Sequence, residues 1–361
     1  DVFVREKADG GWQVELNTET LPRVLVNNRY YAEVSERTRK KTDRNYLMEC
    51  MQNANWLVKA LQQRANTILK TATEIVRRQD AFFRLGVVGL KPTYGRVPLR
   101  GVLPLSTSLD HVGPMTRTVA DNAILFQAIA GPDPEDPTTF DAPVPDVMAT
   151  LSEGVAGLKI GVIRHFWERD GQAHPEIAAG MEAALAELRR QGAELVDIEL
   201  APLTEYANCL KQVMAGEAYA WHKHFIDARP EDYGALGRER ILAGKGQTTA
   251  DYLAAMATRQ KLERAYLESM KDVAAAVTIV ALNPPPRFDD HAGMKAAFGL
   301  EGRPPFNIVR APALAMPMGF TSTGLPMAIQ IVGRPREEAM VYRIAAAYER
   351  ATDWTSRKPP L

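Results

Sequence analysis

The sequence predicts an α/β protein, a mixed sheet flanked by helices, preceded by a small, mainly helical module. Three observations carry that expectation. Short apolar runs at 158–163 and 195–200 bracket a helical pattern that begins at Pro175, which is the spacing of a β-α-β unit. Apolar runs at 276–282 and 327–332 supply further strands. Upstream, two apolar stripes recur at helical spacing within residues 47–83. The domain expectation is therefore a helical segment over 1–83 and an α/β part over 84–361.

Taken in order, Val2, Val4, Trp12, Val14 and Leu16 alternate around Asp9-Gly10-Gly11, the pattern of a β-hairpin. Leu47, Cys50, Met51, Ala54, Leu57, Val58 and Leu61 form one helical stripe. Ile68, Leu69, Ala72, Ile75, Val76, Phe82 and Phe83 form a second after a break near Arg64-Ala65-Asn66. Two such stripes joined by a short connection pack as a helical hairpin. Thr118 and Asp121 read as an N-cap pair for a helix over 119–130, stopped by Gly131. Pro175 suits a first helical turn, and Ile177, Met181, Ala184, Leu185 and Leu188 give that helix its buried stripe. Gly192 fits the position just past its end. Thr249 precedes a long helix reaching about Met270, and 337–350 closes the chain as a helix. Asp133-Pro134-Glu135-Asp136-Pro137 reads as an exposed turn-rich loop.

With 46% hydrophobic residues, the 361-residue chain can bury a sizeable core. Its formal charge is zero, which gives no whole-chain case for nucleic acid or membrane binding. Residues 1–83 carry +3 and the remainder −3, a difference that a solvated helical face explains as well as a polyanionic partner does. Cys50 and Cys209 are far apart and lack metal-ligand spacing, so neither a disulfide framework nor a zinc site is expected, and a cytoplasmic location fits. No apolar run reaches the roughly 18 residues of a membrane span. The chain begins at Asp1 and not at Met, as a fragment or processed product would.

Two sets of strings carry resemblances that meet near Phe83–Leu85. Val14-Glu15-Leu16-Asn17, Leu21-Pro22-Arg23, Asn27-Asn28-Arg29-Tyr30-Tyr31, Trp56-Leu57-Val58-Lys59-Ala60-Leu61 and the 72–83 stretch resemble the core-binding region of sigma-54 transcription factors. That resemblance implies core RNA polymerase as partner of residues 1–83, with Trp56 and Arg64 as contact candidates. The helix-turn-helix and promoter-box segments of such factors are not found, so no specific DNA binding is expected. Downstream, Gly86-Val87-Val88-Gly89-Leu90-Lys91-Pro92-Thr93-Tyr94-Gly95-Arg96-Val97 is similar to amidase signature enzymes. So are Ser106-Thr107-Ser108-Leu109-Asp110-His111-Val112-Gly113-Pro114, Pro317-Met318-Gly319-Phe320 and Gln330-Ile331-Val332-Gly333-Arg334-Pro335.

The amidase resemblance implies cleavage of an amide C–N bond through an acyl-enzyme. The family uses a nucleophilic Ser, a second Ser on a cis peptide, and a Lys as base. A serine hydroxyl needs such a base, and its oxyanion needs preorganised donors. By the resemblance all of these precede the equivalent of Gly86, where this chain carries the sigma-like strings. No Gly-x-Ser-x-Gly or Gly-Gly-Ser string occurs. The expectation is thus an amidase-fold remainder without its catalytic triad, requiring no cofactor and no metal. Arg96, Asp110 and Arg117 are the substrate-cleft candidates, each weighed against ordinary ion-pairing. Ser106 and Ser108 are supporting residues by the resemblance.

Three alternatives stay open. The chain could be a polymerase-docking protein with the amidase part as passenger, or a working amidase or amidotransferase subunit completed by another chain, which only then would act on a small amide. The third concerns origin: the Gly-Val…Leu-basic-Pro string is common to both families and marks a point where recombination or a mistaken join could unite two genes. An amidase sheet lacking its first strands should expose edges and aggregate. Gly244-Lys245-Gly246 with Thr248 lacks the order of a phosphate-binding loop, and His222 and His224 lack an acidic partner for zinc.

Overall fold

The computed structural model describes residues 2–6, 12–16, 86–286, 290, 293 and 300–357. The chain divides into two compact units, Asp1–Asp80 and Ala81–Leu361. In the first, β1 (Val2–Glu6) and β2 (Trp12–Leu16) pair antiparallel with Val4 opposite Val14, as the alternation around Asp9-Gly10-Gly11 requires. The helical stripes of 47–83, with Trp56 and Arg64, lie outside the described residues.

The second unit is built on a mixed sheet. In chain order its strands are β3 (Val88–Lys91), β4 (Met115–Thr116), β5 (Lys159–Val162), β6 (Glu194–Asp197), β7 (Ala275–Ile279), β8 (Ala313–Phe320) and β9 (Pro326–Val332). Among the described residues they stand in the order β4-β3-β8-β9-β7-β5-β6. The expected β-α-β unit is present: β5 and β6 are parallel, with Ile160 opposite Leu195, and α3 (Pro175–Arg190) runs between them in sequence. Ile177, Met181, Ala184, Leu185 and Leu188 are all buried, and Gly192 takes φ +87°, the left-handed conformation that lets the helix stop there. The second strand ends at Asp197, three residues before the expected limit.

Strand register separates the two faces of the sheet. Cross-strand partners share a face. Leu90, Leu314, Ile331, Val277 and Val162 form one row, all buried. Against this face pack α1 (Val119–Ile129), α3 and α8 (Glu338–Ala351). Burying a large aliphatic side chain contributes about 1.5–3 kcal/mol, so this row and its helices are the main source of cohesion. The neighbouring row, Gly89, Ala315, Gln330 and Thr278, faces the other way and consists of small or polar residues. Above that face lie α4 (Leu203–Ala228) and α6 (Thr249–Ser269), which pack on each other and on α7 (Pro304–Ile308). Two shorter α-helices, α2 (His165–Glu168) and α5 (Ala235–Leu242), also belong to this unit.

Several local expectations are corrected. The cap of α6 is Thr248, one residue earlier than expected, and it forms a reciprocal capping box with Asp251. The 133–137 loop is not wholly exposed: the Asp136 carboxylate turns inward and accepts Leu99 N (2.6 Å), Thr138 N (2.9 Å) and Thr138 Oγ1 (2.6 Å). β7 spans Ala275–Ile279 and stops short of Leu282. Thr118 caps α1 as expected, its side chain accepting from Asp121 N at 3.1 Å. Among the described residues, no helix is long and apolar enough to cross a membrane.

Candidate functional site

The row of small residues leaves room over β3, β8 and β9, where a cavity of about 240 Å³ opens. Gly89, Ala313, Ala315 and Gln330 form its floor, and Phe306, Val280 and Met115 contribute apolar wall. Basic residues line it as well: Lys91 from the end of β3, His111 from the loop that follows Asp110, and Arg303. That loop can cross so close to β3 because residue 113 is glycine. A Cβ there would stand 1.9 Å from the Leu90 carbonyl oxygen. Leu90 N in turn donates to Pro114 O at 3.1 Å.

His111 is held from both sides. Its Nδ1–H donates to Leu109 O at 2.7 Å, which leaves the Nε2 lone pair facing Lys91 Nζ at 3.4 Å. The Tyr94 ring meets it edge-on with centroids 5.5 Å apart. Lys91 Nζ also donates to Pro92 O at 3.0 Å. Among the described residues no carboxylate forms an ion pair with it. Burial, partly opposed by Glu338 and reinforced by Arg259, lowers the Lys91 ammonium to about 7. Burial, followed by the charge of Lys91, holds His111 well below the usual imidazole value.

Behind the cavity, a buried polar cluster fixes the 106–111 loop. Glu217 of α4 accepts from Ser106 Oγ (2.7 Å), Ser108 N (2.9 Å) and the Tyr252 hydroxyl (2.8 Å). Burial alone would raise its carboxyl, but these donors hold it below its ordinary value. Arg259 of α6 donates to Ser108 Oγ (2.9 Å), Ser108 O (3.1 Å) and Ile308 O (2.9 Å). Both serines therefore have buried hydrogen-bond partners, and neither lines the cavity.

The three cleft candidates stand apart from one another and from this cavity. Arg96 is buried, stacks on Phe140 (4.6 Å), donates to Ala142 O and Pro143 O, and lies 3.9 Å from Glu338. Asp110 accepts from Leu105 N and Ser106 N and faces a separate cavity of about 310 Å³ beside Trp221. Arg117 donates to Thr355 O and Arg357 O, tying its turn to the C-terminal loop. Lys91 and His111 are not among the three cleft candidates named from the sequence. The alternation in β3 was the available signal, since it places Lys91 on the face opposite Val88 and Leu90. His222 bonds to the Tyr233 hydroxyl and Pro104 O, both at 2.9 Å, and among the described residues no acidic or His/Cys cluster fits a metal.

A helix-flanked mixed sheet carrying a partly open basic cavity is the class of protein these observations define. The sequence model of the amidase family matches residues 84–342, and the chain belongs to that family. The A subunit of glutamyl-tRNA(Gln) amidotransferase from Myxococcus xanthus (strain DK1622) is 38% identical over 303 residues, covering 76% of this chain and 61% of that protein. The corresponding protein of Synechococcus sp. (strain CC9902) is 35% identical over 308 residues, covering 78% and 62%. The chain thus spans about three fifths of the length of these relatives. Among solved structures, the glutamyl-tRNA(Gln) amidotransferase A subunit of Thermotoga maritima superposes with a TM-score of 0.63 at 29% identity, covering 74% of this chain and 58% of that one. A crystal structure of an amidase gives 0.61 at 30% identity, with the same shares.

A second family model, described as the sigma-54 DNA-binding domain, matches residues 44–96. The region it names differs from the expected one, which was the core-binding region of such factors. The two family matches overlap at 84–96, where the structure forms β3 and the turn after it.

Proposed function

We propose that this chain is the sheet-forming part of an enzyme acting on amide C–N bonds, an amidase or amidotransferase subunit whose nucleophile is supplied by a second polypeptide. The observation that carries this reading is the row of small residues, Gly89 and Ala315 beside Gln330 and Thr278, under an open cavity on an otherwise well-packed sheet. Interiors are normally close-packed, so a floor of this kind is shaped for a covering element. Among the described residues no serine lines this cavity. The amidase resemblance implies that the Ser-Ser-Lys set lies before the equivalent of Gly86. Alone, then, the chain has no turnover, and in the completed site the cavity walls hold the amide substrate. Small amides are the substrate class, and no cofactor is required.

The test measures ammonia release from acetamide, benzamide and glutamine. Homogeneous chain should release none. Mixing it with an N-terminal fragment of a glutamyl-tRNA(Gln) amidotransferase A subunit should produce a stable complex and ammonia release. Turnover by the isolated chain, persisting through purification that excludes contaminating amidases, overturns the requirement for completion. Failure of the two polypeptides to associate overturns the completion itself.

A second reading rests on the resemblance of residues 1–83 to sigma-54 factors: docking on core RNA polymerase through 1–83, with Trp56 and Arg64 at the contact. The family match at 44–96 names the DNA-binding domain and supports the sigma-54 relation alone. Core polymerase should be retained by the immobilised chain and lost on deletion of 1–83, with no shift of promoter DNA. Retention that survives the deletion, or a specific DNA shift, overturns it.

A further inference from the structure

Lys91 and His111 form a pair that the amidase chemistry does not use. The family's base lies upstream by the resemblance, and nothing in the fold requires a basic dyad in an apolar-walled cavity. A lysine ammonium ordinarily sits in water or against a carboxylate. Lys91 Nζ has instead a carbonyl, Pro92 O at 3.0 Å, and an imidazole nitrogen, His111 Nε2 at 3.4 Å. The tautomer of His111 is set by the 2.7 Å bond from Nδ1 to Leu109 O, so Nε2 is free to take a proton. Nucleophile, proton acceptor and the group that orients the acceptor stand in line, the arrangement that activates a weak nucleophile.

We propose that Lys91 is an acyl-accepting amine, with His111 as its proton acceptor, and that it captures the acyl group of small activated esters or thioesters entering the cavity. In the step, the neutral Nζ attacks the acyl carbon, a C–N bond forms and the C–O or C–S bond breaks. The amine proton passes to His111 Nε2 and from there to the departing alkoxide or thiolate. The product is a stable amide on Lys91 and a free alcohol or thiol, so the site is modified once and does not cycle. No oxidant or further reactant is needed.

The cavity fits that class of reagent. Its volume of about 240 Å³ is some eight times the ~30 Å³ share of a liquid water molecule, room for a short acyl chain and not for a polymer. Met115, Val280 and Phe306 offer apolar contact to the chain. Glu338, Arg259 and Arg310 are the charged groups acting on the pair, and Arg303 stands at the cavity wall. Burial brings Lys91 to about 7, so the reactive neutral amine is present near neutrality.

This inference stands apart from completion by a second chain, because it is measured on the full chain alone. The chain is treated with p-nitrophenyl acetate between pH 6 and 9, and acetylated lysines are quantified by peptide mass spectrometry. Lys91 should be acetylated at least about tenfold faster than the exposed Lys223 at pH 7, and its rate should level off above about pH 7.5. H111F, which keeps an aromatic ring against Tyr94, should slow Lys91 alone by about tenfold or more. Acetylation of Lys91 no faster than Lys223, or at a rate still rising steeply up to pH 9, overturns the proposal. An unchanged Lys91 rate in folded H111F removes the role of His111. Should H111F not fold, the pH profile of the unaltered chain still decides.

Discussion

Removing the Glu217 carboxylate tests whether the loop carrying His111 is held from behind by one buried acceptor. In Glu217→Ala, three donors lose their partner at once: Ser106 Oγ, Ser108 N and the Tyr252 hydroxyl, at 2.7, 2.9 and 2.8 Å. Each buried donor left unpaired costs about 1–3 kcal/mol. Against this stands the relief of no longer burying a charge, so the net loss should be about 3 kcal/mol. That corresponds to a melting temperature about 6–12 °C lower for a unit of this size. Glu217→Gln keeps an oxygen for the two serine donors and lets its amide donate to the tyrosine oxygen, so it should cost only about 1 kcal/mol.

The pH dependence gives a second readout of the same contact. Because the folded carboxyl lies below its ordinary 4.5, its contribution is complete above that value and disappears as pH falls through the folded value. The gap between the native chain and Glu217→Gln should therefore close on acidification. Urea unfolding followed by tryptophan fluorescence at pH 7 and pH 4 measures both effects. A Glu217→Ala chain within about 0.5 kcal/mol of the native one, or a gap that widens in acid, would refute the reasoning.

Other outcomes follow from the same geometry. Lys91 has its folded value lowered to about 7 against 10.5, so the unfolded chain binds the extra proton between these values and stability should rise with pH across that window. Lys91→Met should abolish the rise, about 1–3 kcal/mol after allowance for partial exposure, as read from unfolding at pH 7 and pH 10. Gly113→Ala forces a Cβ to within 1.9 Å of Leu90 O, so the 111–114 crossing must shift; a native-like melt would show that the crossing is not required. Long sequencing reads should run unbroken through codons 83–86, and reads that separate the halves would remove the fusion.

How much was legible varies with the physics of each element. The β5-α3-β6 unit could be read because its apolar periods are clean and Pro175 and Gly192 punctuate it. α4 could not, because its buried stripe includes Tyr206, Cys209, Glu217 and His222, residues whose burial depends on partners remote in sequence. β8 was obscured by Pro317, a residue that argues against a central strand; the ladder accommodates it with a register shift between Pro317 and Gly319. The cavity was hidden for a related reason. It is made by what small residues on three strands do not fill, and only pairing brings Gly89, Ala315 and Gln330 into one row.

The shift within β8 bears on how this sheet can change length over evolutionary time. Side chains alternate faces, so a single-residue deletion between Ala313 and Pro317 would exchange the two rows and put Leu314 where Ala315 now floors the cavity. Between Pro317 and Gly319 the ladder has already absorbed one such slip, and the turn from Thr321 to Leu325 is closed by its own hydrogen bonds. Length variation should therefore collect at 319–326, while 313–317 is held to a fixed count whatever its side chains become.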